Sequence, residues 1–442
     1  LQGKIALVPE HRYTDASRKV RLYSEFHTGN WMWDIQVSLP AGATVVPIQI
    51  FVDKTQLCQL VGVENNNAYP VYLTISTISP EILSNVSNNA HVLVGFVTTG
   101  EFNVPELSAE EERNLRLRVF HASMRVMLDP LRRASREGME LTSADGAVRD
   151  AYPILAIDDL DNPEQCQHAL CRFGRACPNC QATKEDFSKG TAAEPRTQED
   201  TIRHIEHAAK LGDLRAINDY LKQHGLNYVL EPFWKDWEHV NIHQAITPDI
   251  LHQLYQGMIK HLVKWLQKIV GKKELDARFE RQAPMHGLRH FDNGISVLQR
   301  VSGTEHKAIA AQLLPCAASA SIDRRAVRCT RALLDVTMMA QYECHSDDTV
   351  DDFKGAVTAF HEDKDVFLET GACKSLNLPK LHALHHYPDG IRLFGSLNKC
   401  NTEIGERLHI DYTKDAYAAS NKKYDQILPQ MCKWVDNGES MR

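Results

Sequence analysis

The chain of 442 residues predicts an α/β fold, a mixed-sheet core interrupted by a large all-helical insertion. Three observations point there. Apolar, β-branched and aromatic runs occupy residues 44–52, 69–78, 91–98 and 151–157, the composition of strands. From about residue 201 to Gly371 the apolar residues recur instead at three- and four-residue steps, the spacing of helices. A further helical segment, 402–419, comes late enough to return and cover the sheet.

Residues 1–42 are mixed in character and read as an N-terminal segment. The first strand, Val45-Val46-Pro47-Ile48-Gln49-Ile50-Phe51-Val52, closes on Asp53. Turn-rich sequence, Glu64-Asn65-Asn66-Asn67 and Asn85-Val86-Ser87-Asn88-Asn89, separates the next two runs, and links this short suit an antiparallel meander. From about Ser108, Leu117, Phe120, Met124, Met127 and Leu131 share one helical face, and Pro130 is expected to kink or end that helix. Strand 151–157 then runs into the acidic corner Asp158-Asp159-Leu160-Asp161-Asn162-Pro163. Strand, strand, strand, helix, strand is the opening order of a ribonuclease H-like core, with one acid on the first strand and another after the fourth. Asp53 and Asp161 stand at those places.

The expected organisation is a first core part at 43–165, a zinc knuckle and polar linker at 166–200, and a helical insertion at 201–380. Core completion at 381–425 and a tail at 426–442 follow. Within the insertion, Thr247-Pro248-Asp249 should open a helix, with Thr247 as N-cap, Pro248 at the first helical position and Asp249 in the first turn. Its apolar stripe continues through Leu262 and Ile269, and Gly271 ends it. Further helices fit 305–319, 324–342 and 348–368. There is no internal repeat at a fixed period.

No apolar stretch reaches the roughly 18 residues of a membrane span. A formal charge of −7 excludes a uniformly basic nucleic-acid coat, so any DNA contact must come from local patches. One candidate is the group Arg113, Arg116, Arg118, Arg125, Arg132, Arg133 and Arg136; its plainer reading is a solvated helix face. Eleven cysteines, an odd and scattered set, fit a reducing compartment. The chain begins Leu-Gln-Gly without a signal peptide and reads as a fragment whose N-terminal neighbour is missing.

A carboxylate closing a buried strand, as Asp53 does, is costly unless something cationic meets it. Together with Asp161 and Glu406 on the late helix, it gives an Asp, Asp, Glu order that suggests metal-dependent phosphodiester chemistry. Such chemistry uses two divalent ions about 3.5–4 Å apart, held by carboxylates, and hard oxygen ligands suit Mg²⁺ or Mn²⁺. Each acid taken singly reads as a solvated strand-end or helix-face group. Cys177-Pro178-Asn179-Cys180 suits a tetrahedral, structural Zn²⁺, with Cys171 and either Cys166 or His168 completing the set; a redox pair and simple buried thiols are the alternatives. His382, His385 and His386 read as satisfied polar groups near the core. Asp249 and His252 put an acid and an imidazole one helical turn apart, with the acid favoured by the helix dipole.

Several longer motifs resemble the Plavaka transposases of mushroom-forming fungi. They are Gly42-Ala43-Thr44-Val45-Val46-Pro47, Asp53-Lys54-Thr55-Gln56-Leu57, Ala68-Tyr69-Pro70-Val71-Tyr72-Leu73, Thr247-Pro248-Asp249-Ile250-Leu251-His252, Arg300-Val301-Ser302-Gly303-Thr304-Glu305 and Asn401-Thr402-Glu403-Ile404-Gly405-Glu406-Arg407. These elements belong with the CACTA (En/Spm-like) transposons of the DDE group. The resemblance implies a ribonuclease H-like core with a helical insertion between the second Asp and the Glu. Asp53 would be the first catalytic acid and Asp161 the second, with Asn162 where the group has an aromatic residue. Glu406 is favoured over Glu403 as the third. Cys177 and Cys180 match a Cys-Pro-x-Cys pair of the wider group. Asp249 and His252 match its Asp-x-x-His motif, a core-supporting element, although Asp249 is also the rival for second acid.

The implied activity is Mg²⁺- or Mn²⁺-dependent DNA strand cleavage and strand transfer at transposon ends. Its implied partners are terminal inverted repeats and target DNA, engaged as a homo-oligomer in the nucleus. Two other readings are a catalytically inactive, transposon-derived DNA-binding protein and a metal-dependent nuclease without joining activity.

Overall fold

A computed structural model describes residues 3–57, 67–98, 107–143, 145–318, 322–423 and 426–440. Its central sheet has five strands: β1 (Ala43–Val52), β2 (Pro70–Ile75), β3 (Val92–Phe96), β4 (Met139–Thr142) and β5 (Val148–Asp159). They lie in the order β3-β2-β1-β5-β4. The β-branched run of β1 is buried at almost every position, as expected of a strand covered on both faces. β1 to β3 form the expected antiparallel meander, whereas β5 pairs with β1 in parallel.

A parallel pair needs a crossover, and α1 (Ala109–Glu137) supplies it. Ser108 caps α1 in a reciprocal box with Glu111. Leu117, Phe120, Met124 and Leu128 form its buried stripe, and the helix packs on β5. Three antiparallel strands, a helix and a strand parallel to the first make the ribonuclease H-like core; the helices between β5 and the late segment 402–419 are the insertion.

Several expectations need correcting. Pro130 neither ends α1 nor interrupts its run to Glu137. Pro130 is exposed, as is Val126, whose carbonyl loses its helical partner to the proline. β4 was not foreseen: it is a short, largely exposed strand hairpinned to β5. The turn at 85–89 is a single 3₁₀ turn closed by Asn89 in the left-handed region (φ 51°); Glu64, Asn65 and Asn66 lie outside the described residues. The supposed linker 181–200 is ordered, with Phe187 buried against Cys177 and Cys180.

In the insertion, Asp249 rather than Thr247 is the N-cap, accepting from the amides of Leu251 and His252. The segment Ile250–Ile259 is wound as a π-helix and continues as the α-helix Lys260–Val270, ended by Gly271 at φ 91°. The remaining long helices are Gly303–Ala318, Arg324–Met339 and Asp347–Asp363, close to expectation.

After the insertion the chain returns to the sheet. α2 (Asn162–His168) follows β5 directly, and α3 (Thr402–Leu408) lies against β1. The face of α3 that meets the sheet carries Gly405 and Leu408, and Ile410, just beyond the helix, is half exposed. The approach is close: a Cβ on Gly405 would overlap the Phe51 ring. Beyond α3, Leu408 and Tyr412 join Phe51 and Tyr72 in a small core, and the Tyr72 hydroxyl meets Thr413 Oγ1 at 2.8 Å.

Gly405→Ala should therefore lose stability by about 1–3 kcal/mol through overpacking, despite the helix propensity that alanine gains. Urea midpoints check this, and in a double-mutant cycle Phe51→Leu should recover part of the loss.

Candidate active site

The parallel register of β1 and β5 runs to the pair Phe51–Asp159. Asp53 and Asp161 thus stand two residues past the last pair, at the same end of the sheet. Asp161 is fixed as the N-cap of α2, its Oδ1 accepting from the Glu164 amide at 3.2 Å. Glu164, in the first turn of α2, accepts from the Tyr69 hydroxyl at 3.0 Å. Sequence reasoning passed over Glu164, although its i+3 spacing from Asp161 on a helix opened by Pro163 was the available signal.

Glu406 comes to this corner on α3, with Oε1 3.1 Å from His252 Nε2. The other ring nitrogen of His252 lies 2.8 Å from Asp249 Oδ2 and 3.0 Å from Thr402 Oγ1. Asp249 is only 1% exposed. It accepts from the amides of Leu251, His252 and Thr402, and from the Thr402 hydroxyl. A carboxylate offers about four acceptor positions, so these donors and His252 leave none for a further ligand. Glu403 points away, to Lys307 Nζ at 2.6 Å and Asn401 Nδ2 at 3.0 Å. Asp158 lies 2.6 Å from the buried His168 Nδ1.

The electrostatics match this geometry. Burial, then the charges of Asp161, Glu164 and Glu406, lift the Asp53 carboxyl to about 7. Burial also raises Asp161 and Glu164. For His252, burial alone would depress the imidazole, but hydrogen bonds to Asp249 and Glu406 outweigh it and carry it to about 10. Asp53, Asp161, Glu164 and Glu406 thus form a carboxylate group with one imidazolium at its edge. Hard oxygens of this kind could hold Mg²⁺ or Mn²⁺. The group is drawn together less tightly than a closed metal cage, with Glu406 held on His252.

A second cluster is tighter. The ligand atoms of Cys177, Cys180, His382 and His386 all lie within 4.8 Å of one another, the only such set among the described residues. Cys177 Sγ is 3.3 Å from His386 Nε2, and Cys180 Sγ is 3.1 Å from His382 Nε2. These are near the roughly 3.6 Å edges of a tetrahedron with Zn–S of about 2.3 Å and Zn–N of about 2.0–2.1 Å. The set fits zinc, and it corrects the expected ligands. Cys171 turns to the carbonyls of Ala169 and Cys177, Cys166 lies outside the cluster, and His168 is committed to Asp158. His382 and His386 were misread as core groups; the missed signal was their His-x₃-His spacing. The ten cysteines among the described residues are free thiols.

The arginine group on α1 is mostly neutralised. Arg113, Arg116, Arg125, Arg132, Arg133 and Arg136 each pair with an acid. Among the described residues, no helix is long and apolar enough to cross a membrane.

A family model described as Plavaka transposase matches residues 1–266. No curated protein matches the chain.

Two measurements follow from this geometry. The Asp53 carboxyl rises from 3.8 to about 7 on folding, so its contribution to stability is complete below 3.8 and is lost as pH climbs through 7. Without added divalent ions, the thermal midpoint of Asp53→Asn should move above that of the wild type between pH 4 and 8, the gap widening with pH. Elemental analysis should find about one zinc per purified chain, retained by Cys166→Ser and lost in His382→Ala.

Proposed function

This chain belongs to the Plavaka transposase family, and from that premise we propose that it is the catalytic region of a DDE-type DNA transposase. It would cleave DNA strands at transposon ends and join the freed 3′-hydroxyls to target DNA at Asp53, Asp161 and Glu406. The observation that carries the reading is the Asp53 carboxyl, lifted to about 7 by burial and by three neighbouring acids. Such an excess of negative charge on a fold's functional edge is a site awaiting cations. Divalent ions, Mg²⁺ or Mn²⁺, would supply activation of the nucleophile and offset of the leaving oxygen's charge.

The chain's own residues hold this arrangement. Asp249 fixes the first turn of α3 and the ring of His252 together, and His252 holds the Glu406 carboxylate beside the other two acids. This makes Asp249 an anchor rather than the second catalytic acid. Lys54 and Lys380 add positive charge near Glu164 and Asp161. The Cys177, Cys180, His382 and His386 cluster would hold a structural Zn²⁺, fastening the stretch after α2 to the stretch leading towards α3. Both ends of the insertion would then be tied at one point.

The test is strand cleavage of a duplex bearing the element's terminal repeat, with Mn²⁺. Asp53→Ala, Asp161→Ala and Glu406→Ala should fall to background. His252→Ala should lose about 10–100-fold, as supporting residues of metal sites do, and Glu403→Gln should stay near wild type. Undiminished cleavage by Asp53→Ala would overturn the assignment.

A further inference from the structure

The cations beside the acid site are arranged differently from the arginines of α1. In the helical stretch 250–270, Gln253 and Gly257 lie in the π-wound segment, and Lys260 and Lys264, four residues apart, share one face of the α-helix that continues it. The chain at Lys380 lies across the π-wound part. Gln253 Nε2 donates to the Lys380 carbonyl at 3.0 Å. Only glycine fits beneath the lysine stem, because a Cβ at Gly257 would meet Lys380 Cδ at 2.6 Å. Lys380 Nζ then donates to the His252 carbonyl at 2.6 Å, within the π-wound turn. This half-buried ammonium stands at the border of the carboxylate group, close enough to Asp161 and Asp249 to feel both.

Lys260 and Lys264, just beyond the π-wound part on the α-helix, are exposed. Among the described residues, neither has a carboxylate within ion-pairing distance, unlike Lys307, which Glu403 holds at 2.6 Å. Next on this face, Lys268 donates to the Ala372 carbonyl at 2.8 Å and so ends the free series. Burial, then Lys380, Lys264 and Lys260, push the His261 imidazole down to about 4, a sign that the three ammonium groups surround it. Like charges at i and i+4 destabilise a helix, and no local acid here offsets that repulsion. At 1.5 Å per residue, Lys260 and Lys264 are about 6 Å apart along the axis, nearly two phosphate steps of a single strand at about 3.4 Å each.

We propose that Lys260, Lys264 and Lys380 form a track for DNA backbone phosphates, leading a strand into the acid site. The proposal rests on the transposase reading and names the surface by which the protein holds its substrate. Lys380 is the inner contact, at the scissile end, and the two exposed lysines grip the flanking phosphates.

The experiment is equilibrium binding of the full chain to a duplex of about 25 base pairs in Ca²⁺, across a KCl series. Each phosphate that is no longer neutralised should lower the slope of log K against log[salt] by about 0.9. The double variant Lys260→Gln/Lys264→Gln should therefore lower it by about 1.8. Its cleavage should show a raised KM with kcat near wild type, and its thermal midpoint should not fall. Neutralising two paired arginines, Arg113→Gln/Arg133→Gln, should leave the slope as it was. If wild type binds with a steep slope and the lysine variant keeps it, the track is wrong and the transposase reading stands. If wild type shows no salt-dependent DNA binding, the reading itself fails and takes the track with it.

Discussion

Donors from three directions converge on the carboxylate of Asp249: the amide of Leu251, the amide and ring of His252, and the amide and hydroxyl of Thr402. Through it the start of one insertion helix is bonded to the start of α3. A nearly buried carboxylate is tolerable only when its acceptor positions are filled. Removing any of these partners therefore does more than break one hydrogen bond, because it leaves charge uncompensated. The ring of His252 takes its orientation from Asp249, and Glu406 takes its position from the ring. The close seat of Gly405 on Phe51 depends on α3 starting where Asp249 holds it.

Around this anchor the protein separates two kinds of coordination chemistry. Hard carboxylate oxygens gather past the ends of β1 and β5, at a partly open corner. Thiolates and imidazoles gather between the stretch after α2 and the stretch at 382–386, in a closed cluster. By ligand softness the first set would suit Mg²⁺-like ions and the second zinc, so neither would compete for the other's metal. The open corner is electrostatically costly to the bare fold, as the raised Asp53 shows.

Features governed by local periodicity could be read from the residues. The apolar run of β1 placed Asp53 at a buried strand end, and the three- and four-residue steps from Leu117 to Leu131 marked α1. The longer Asn-Thr-Glu-Ile-Gly-Glu-Arg motif directed attention to α3. What stayed hidden depends on partners distant in sequence. His382 and His386 become a ligand pair only because the fold brings Cys177 and Cys180 to them, and nothing near position 382 signals that meeting. Asp249 looked like a first-turn acid because Thr247-Pro248 satisfies the capping pattern, yet Thr402 and His252 decide its role. β4 escaped notice because it is short, exposed and held only by its hairpin to β5. The seven arginines of α1 were a candidate patch whose plainer reading was a solvated face, and the acids beside six of them favour that reading.

The insertion also governs when the protein becomes whole. Asp53 and Asp161 leave the ribosome early, together with most of the sheet they belong to, whereas Glu406 emerges only after the long helical stretch between. Pairing so distant in sequence is slow to form, and the nascent polypeptide must hold its first two acids without the third until Thr402 arrives to meet Asp249. A chain whose synthesis stops anywhere in the insertion would leave behind an unfinished corner, without the carboxylate that α3 carries.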